Sequence, residues 1–186
     1  MKFNNNELST VKAIHGSKDA LVSSTDVAIK ILQDSKLESS IYAHHIRVWE
    51  AIKQLAISEK IEIAALLHDG ERYHFINGYE ICELFGPQVF TIITEFAIAI
   101  WVEKTVIHER RILSKCFIGD YCFDASTLRN GLVLRTIDWL DNKTEYLSHN
   151  FQLPIHQRKI GENFFIPLMD QFGFFSISNQ IRNIII

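Results

Sequence analysis

The residues best suited to chemistry in this chain of 186 residues are a few histidines and carboxylates. His68 and Asp69 stand side by side where an apolar run ends, within Ile61 to Phe75, "IEIAALLHDGERYHF". The pair His44-His45 lies upstream, and Asp138 sits downstream between Ile137 and Trp139. Imidazole offers a neutral nitrogen and carboxylate an anionic oxygen, so His44, His68, Asp69 and Asp138 can make a mixed N/O donor set. Such a set suits Mn, Fe or Zn better than Mg or Ca, which take all-oxygen shells. A bound ion would lower the pKa of a water and offset charge on a phosphate being cleaved. Plainer readings stand beside this one. The helix simply ends on a polar pair, His44 is a core histidine bonded to a carbonyl, and Asp138 is salt-bridged to Arg135 or Arg129. A buried carboxylate is costly unless it is paired or bound to a metal.

The elements that must position these residues are helices. Apolar residues recur at helical rather than alternating spacing, with only three prolines and eight glycines to punctuate them. Ile41, His44, Val48, Ile52 and Leu55 step by three and four and form one stripe of an amphipathic helix. Ser58 is placed to cap the next helix, which ends near Asp69-Gly70. A short helix over Gly78 to Phe85 is closed by Gly86, and Pro87 takes the first position of a long helix. A further helix from about Asp124 to His149 carries Leu128, Leu132, Arg135, Asp138 and Asn142 on one face. Pro154 breaks the chain before a further helix ending near Gly173. The expected fold is all-α, a compact single domain over 1–186.

Composition bounds the function. The chain is 47% hydrophobic and 22% charged, the balance of a soluble globular protein, and a net charge of −3 gives no footprint for nucleic acid. The N-terminus lacks the apolar core of a signal peptide, and Val89 to Val102, interrupted by Glu95, is too short to span a bilayer. A cytoplasmic protein with no membrane partner is expected. Cys82, Cys116 and Cys122 show no CxxC spacing and suit buried thiols in a reducing compartment. The closing "IRNIII" is expected to dock on the core or to join copies in a homo-oligomer. No GxxxxGK[ST], GxGxxG or GxSxG occurs, so the usual phosphate-cradling loops and the serine nucleophile elbow are absent.

Four segments, "HHIRVWEAI", "AALLHD", "ELFGPQV" and "TIDWLDNKTEYL", follow the order of HD-domain phosphohydrolases. They most resemble the hydrolase domain of the RelA/SpoT-type alarmone enzymes and their small stand-alone relatives. That family reads HPxxVAxxL, AALLHDxxED, FGxxVxxIV and KLADRLHN, and "RKIGENFFIPLMDQFGFFSISNQI" looks like its ETLxIYAPLAxRLGIxxIKxEL segment. The likeness runs over residues 35–182. It implies an HD-type helical fold with manganese on His44, His68, Asp69 and Asp138, with Fe or Zn as the other candidates and His45 as the fallback for the first ligand. It also implies a 3'-pyrophosphohydrolase that releases pyrophosphate from guanosine tetra- or pentaphosphate, the nucleotides of the stringent response. By the same likeness Glu71 would handle the attacking water and Asn142 would bond the nucleotide. Lys143, Arg135 and Lys36 are the candidate cations toward substrate.

The chain departs from the pattern where substrate is handled. HDxxED is HDGER here, so Glu71 matches only with one residue deleted, and the second acid becomes Arg72. Arg72 would weaken Glu71 as a base by lowering its pKa, or would itself grip a phosphate bidentately. The family's basic RxSG stretch is "SKLESS", keeping only Lys36, and Trp139 replaces the arginine of KLADR. Two functions are therefore expected as alternatives: a metal-dependent phosphohydrolase, or a degenerate HD module that binds metal or nucleotide in a regulatory role.

Overall fold

The computed structural model describes residues 24–108 and 128–186, and among them every regular element is a helix. The chain divides after Ile93 into two compact units.

In the first unit, Ser24–Asp34 forms α1, Ser39–Gln54 α2 and Glu59–Leu67 α3. The expected stripe is the inner face of α2, with Val48 and Ile52 fully buried and Leu55 closing the helix. His45 is buried as well, so the inward sector is wider than the stripe. Helix α3 packs against both α1 and α2. Ile61, Ile63, Ala64, Ala65, Leu66 and Leu67 are all buried, as in a helix with no solvent face over its later turns. Ser58 takes the N-cap position in extended backbone, but its side chain makes no capping bond.

Gly78–Phe85 is α4, with the boundaries the sequence predicts. Its start is fixed by a capping box that sequence reading overlooked. Asn77 accepts from the backbone N–H of Tyr79 and Glu80, and the Glu80 carboxylate accepts from the N–H of Asn77. Pro87 then opens α5, Pro87–His108.

In the second unit, Arg129–Ser148 forms α6. The expected start at Asp124 lies outside the described residues, and Leu128, expected within the helix, is its N-cap. A Cβ on Gly131 would stand 2.3 Å from Glu95 Cβ and 2.5 Å from the Phe96 nitrogen, so glycine is what lets α6 touch the backbone of α5 here. After Pro154, α7 (Ile155–Ile160) passes through a π turn, Gly161–Phe165, into α8 (Ile166–Gln171). The widened turn buries both Phe164 and Phe165, the latter with its ring 5.0 Å from Trp139 of α6. Phe175–Ile185, α9, packs on α8 and α6.

Two expectations are revised. Ile185 is buried but Ile186 is 94% exposed, so the terminal isoleucines do not dock as a block. Cys82 is exposed rather than buried, because it lies on the outer side of α4; Cys116 and Cys122 lie outside the described residues. Among the described residues no helix is long and apolar enough to cross a membrane.

Candidate metal centre

Helix α3 delivers His68 at its C-cap, where the residue is buried. The His68 Nδ1 lies 2.7 Å from the carbonyl oxygen of Ala65. A carbonyl can only accept, so Nδ1 carries the proton and Nε2 the lone pair, the tautomer a metal ligand requires. The turn beyond is tied to Gly70, whose N–H donates to the Leu67 carbonyl at 2.9 Å and whose carbonyl accepts from Phe75 at 3.1 Å. A Cβ on Gly70 would come within 2.4 Å of Ile76 Cγ2, so the residue after the His-Asp pair must be small.

His44 and His45 of α2 both approach His68, with ring centroids at 5.5 Å and 4.6 Å. Their environments differ. His45 is fully buried beside Tyr73 and Phe75, at 6.4 Å and 5.8 Å, whereas His44 is half-buried. One ring nitrogen each from His44 and His68 lie within 4.8 Å of each other, so the two imidazoles could serve the same metal ion. Imidazole nitrogens are donors that a borderline divalent ion accepts. Neither His45 nor Asp69 joins this pair. Asp69, half-buried, instead has Oδ2 3.2 Å from Arg72 Nη1.

Asp138 is held within its own unit from both sides. Asn142 Nδ2 donates to Oδ1 at 2.9 Å and to the Asp138 backbone carbonyl at 2.8 Å. Arg135 Nη1 donates to Oδ2, which realises the salt bridge that sequence reading weighed as the plainer alternative. Arg129, the other partner considered, lies instead against the rings of Phe172 and Phe174, at 5.6 Å and 5.2 Å. The remaining nitrogens of Arg135, Nε and Nη2, both reach Glu103 Oε2 at 2.6 Å. Burial works against the Arg135 charge, yet Glu103 and Asp138 outweigh it and hold the guanidinium above its ordinary pKa. Burial lowers the Lys143 pKa, and Arg135 lowers it further, against the opposing pull of Glu103 and Asp138.

Glu103 was overlooked in the sequence because it follows the apolar stretch rather than interrupting it. The available clue was its spacing of eight from Glu95, which brings it back to within about 80° of that residue around α5. Glu95 is engaged similarly: its Oε2 accepts from the Gly131 N–H at 3.0 Å. Burial raises the Glu95 pKa, and that hydrogen bond opposes the rise.

The substrate-side candidates are more dispersed. Glu71 is exposed, accepts from the Gly78 N–H at 2.8 Å and borders a cavity of about 320 Å³ with His74, Phe75, Ile76, Asn77 and Glu80. Arg72 is exposed, with its guanidinium 5.2 Å from the Tyr73 ring centroid. Lys36 is exposed in the turn after α1, at φ 55°. Lys143 is half-buried, with Nζ 6.0 Å from the Trp139 ring centroid. No family model matches the chain, and comparison with curated proteins and with solved structures gave no match.

Proposed function

We propose that this protein is a metal-dependent phosphohydrolase acting on a nucleotide, with guanosine tetra- or pentaphosphate as the first substrate to test. The observation that carries the reading is the pairing of His44 with His68, their rings 5.5 Å apart, with Asp138 as the carboxylate ligand of the proposal. A divalent ion held by them, with manganese the first choice, would polarise a water and offset charge on the phosphorus being attacked. His68 is fixed in the ligating tautomer by Ala65. Asp138 is held in orientation by Asn142 and Arg135. Arg72 is exposed and would leave Asp69 and the Tyr73 ring to swing toward a phosphate. Asp69 is the fourth ligand of this proposal, and on that reading it exchanges its contact with Arg72 for the ion.

A second reading, a metal- or nucleotide-binding regulatory module, is favoured by one observation. Two groups assigned to substrate handling already have structural partners: Glu71 caps the start of α4 and Arg135 is enclosed by Glu103 and Asp138.

The test is elemental analysis followed by assay. The protein should take up about one Mn, Fe or Zn ion per chain. The loaded protein should then release pyrophosphate from guanosine tetraphosphate, and Asp138→Asn should abolish the release. Absence of metal after reconstitution overturns both metal readings. A metal-loaded protein inert on alarmones and on a panel of nucleoside phosphates leaves the regulatory reading.

A further inference from the structure

We infer that Glu103 is a positioning residue for metal binding: it engages Arg135 and balances its charge, so that the buried Glu103–Arg135–Asp138 set keeps a net negative charge with which Asp138 can ligate a divalent cation. This rests on the metal reading above. The Arg135 guanidinium donates to Asp138 Oδ2 and is therefore a direct rival of an incoming cation for the same carboxylate. Glu103 turns two of the three guanidinium nitrogens toward itself, Nε and Nη2, each 2.6 Å from Oε2. Only Nη1 is left for Asp138, enough to orient the carboxylate while most of the opposing charge is spent elsewhere.

The three groups Glu103, Arg135 and Asp138 carry −1, +1 and −1, a net −1 available to an ion. Without the Glu103 charge the set would be neutral. Burial gives this difference its weight. The side chains of Glu103 and Asp138 are each 7% exposed and that of Arg135 15%, so water screens the set poorly. Glu103 touches neither substrate nor metal in this scheme; it acts through Arg135.

The experiment is Mn(II) titration, followed by electron paramagnetic resonance of free ion, on four proteins confirmed as folded by circular dichroism. Wild type should bind. Glu103→Gln, which keeps the shape and a hydrogen-bond acceptor but removes the charge, should weaken binding about tenfold or more, the range expected for an outer-shell partner. The double variant Glu103→Gln/Arg135→Gln, which removes both charges, should recover to within about threefold of wild type. Glu103→Asp, which keeps the charge, should stay closer to wild type than Glu103→Gln, and it carries the test should Glu103→Gln not fold. Equal binding by wild type and Glu103→Gln overturns the inference and leaves the metal site standing. So does a double variant as weak as the single, since that marks a merely structural role, or an Asp variant that binds no better than background. Wild type that binds no Mn(II) overturns the metal reading and the inference with it.

Discussion

Nδ1 of His68 donates to the carbonyl oxygen of Ala65, 2.7 Å away and one turn back on the helix that delivers it. The bond needs no distant partner, so the local helix alone sets which nitrogen of His68 carries the lone pair. His68→Ala should therefore lower divalent-metal affinity by at least about a hundredfold, more than removal of an outer-shell partner. Equilibrium dialysis with Mn(II) checks this, and an unchanged affinity would remove His68 from the site.

His44 and His45 are neighbours in sequence with separable roles. His44→Ala should cost metal binding with little loss of stability, because the residue is half-buried. His45→Ala should retain the metal but lose about 2–4 kcal/mol of stability, as for other large-to-small changes at fully buried positions. Urea unfolding run beside metal titration separates the two. The opposite pattern would make His45 the ligand.

Gly131→Ala tests the approach of α6 to α5. The added methyl would meet Glu95 Cβ and the Phe96 backbone nitrogen at 2.3 Å and 2.5 Å, and backbone cannot swing aside as a side-chain tip can. A loss of about 3 kcal/mol is expected, at the upper end of overpacking penalties. A thermal melt unchanged from wild type would contradict this packing.

The acid limb of stability should involve Asp170. The Ser178 hydroxyl donates to its Oδ1 at 2.6 Å, and Arg182 Nη2 approaches Oδ2 at 2.6 Å. The hydrogen bond from Ser178, and after it the bond and charge of Arg182, hold the carboxyl below its ordinary 3.8, against the opposing effect of burial. A carboxyl depressed on folding contributes stability above its unfolded pKa and loses it as pH falls through the lower folded value. Ser178→Ala should move the Asp170 midpoint up toward 3.8 and cost on the order of 1 kcal/mol near neutral pH. Carbon-detected NMR titration of the side-chain carboxyl measures the midpoint.

Much of the secondary structure was legible because its determinants are local. Helix α4 falls on Gly78–Phe85 because Gly86 and Pro87 stop one helix and start another within two residues. Ser58 shows the limit of such reasoning: the cap residue is in place, yet its hydroxyl does not make the bond. The His-Asp pair was equally legible as a chemical candidate, since both residues follow an apolar helix that can hold them rigidly.

The sequence by itself determined an all-α chain and a short set of donors capable of binding metal. Tertiary structure alone decided how each donor is held. Successive helical residues point about 100° apart, and packing leaves His44 half-buried while His45 is fully buried. Only the fold, too, brings Glu103 onto Arg135 across 32 residues of chain. The pairing depends on where α5 and α6 meet, and hydrophobic periodicity reports that each helix has a buried face without reporting which charged residues will share it.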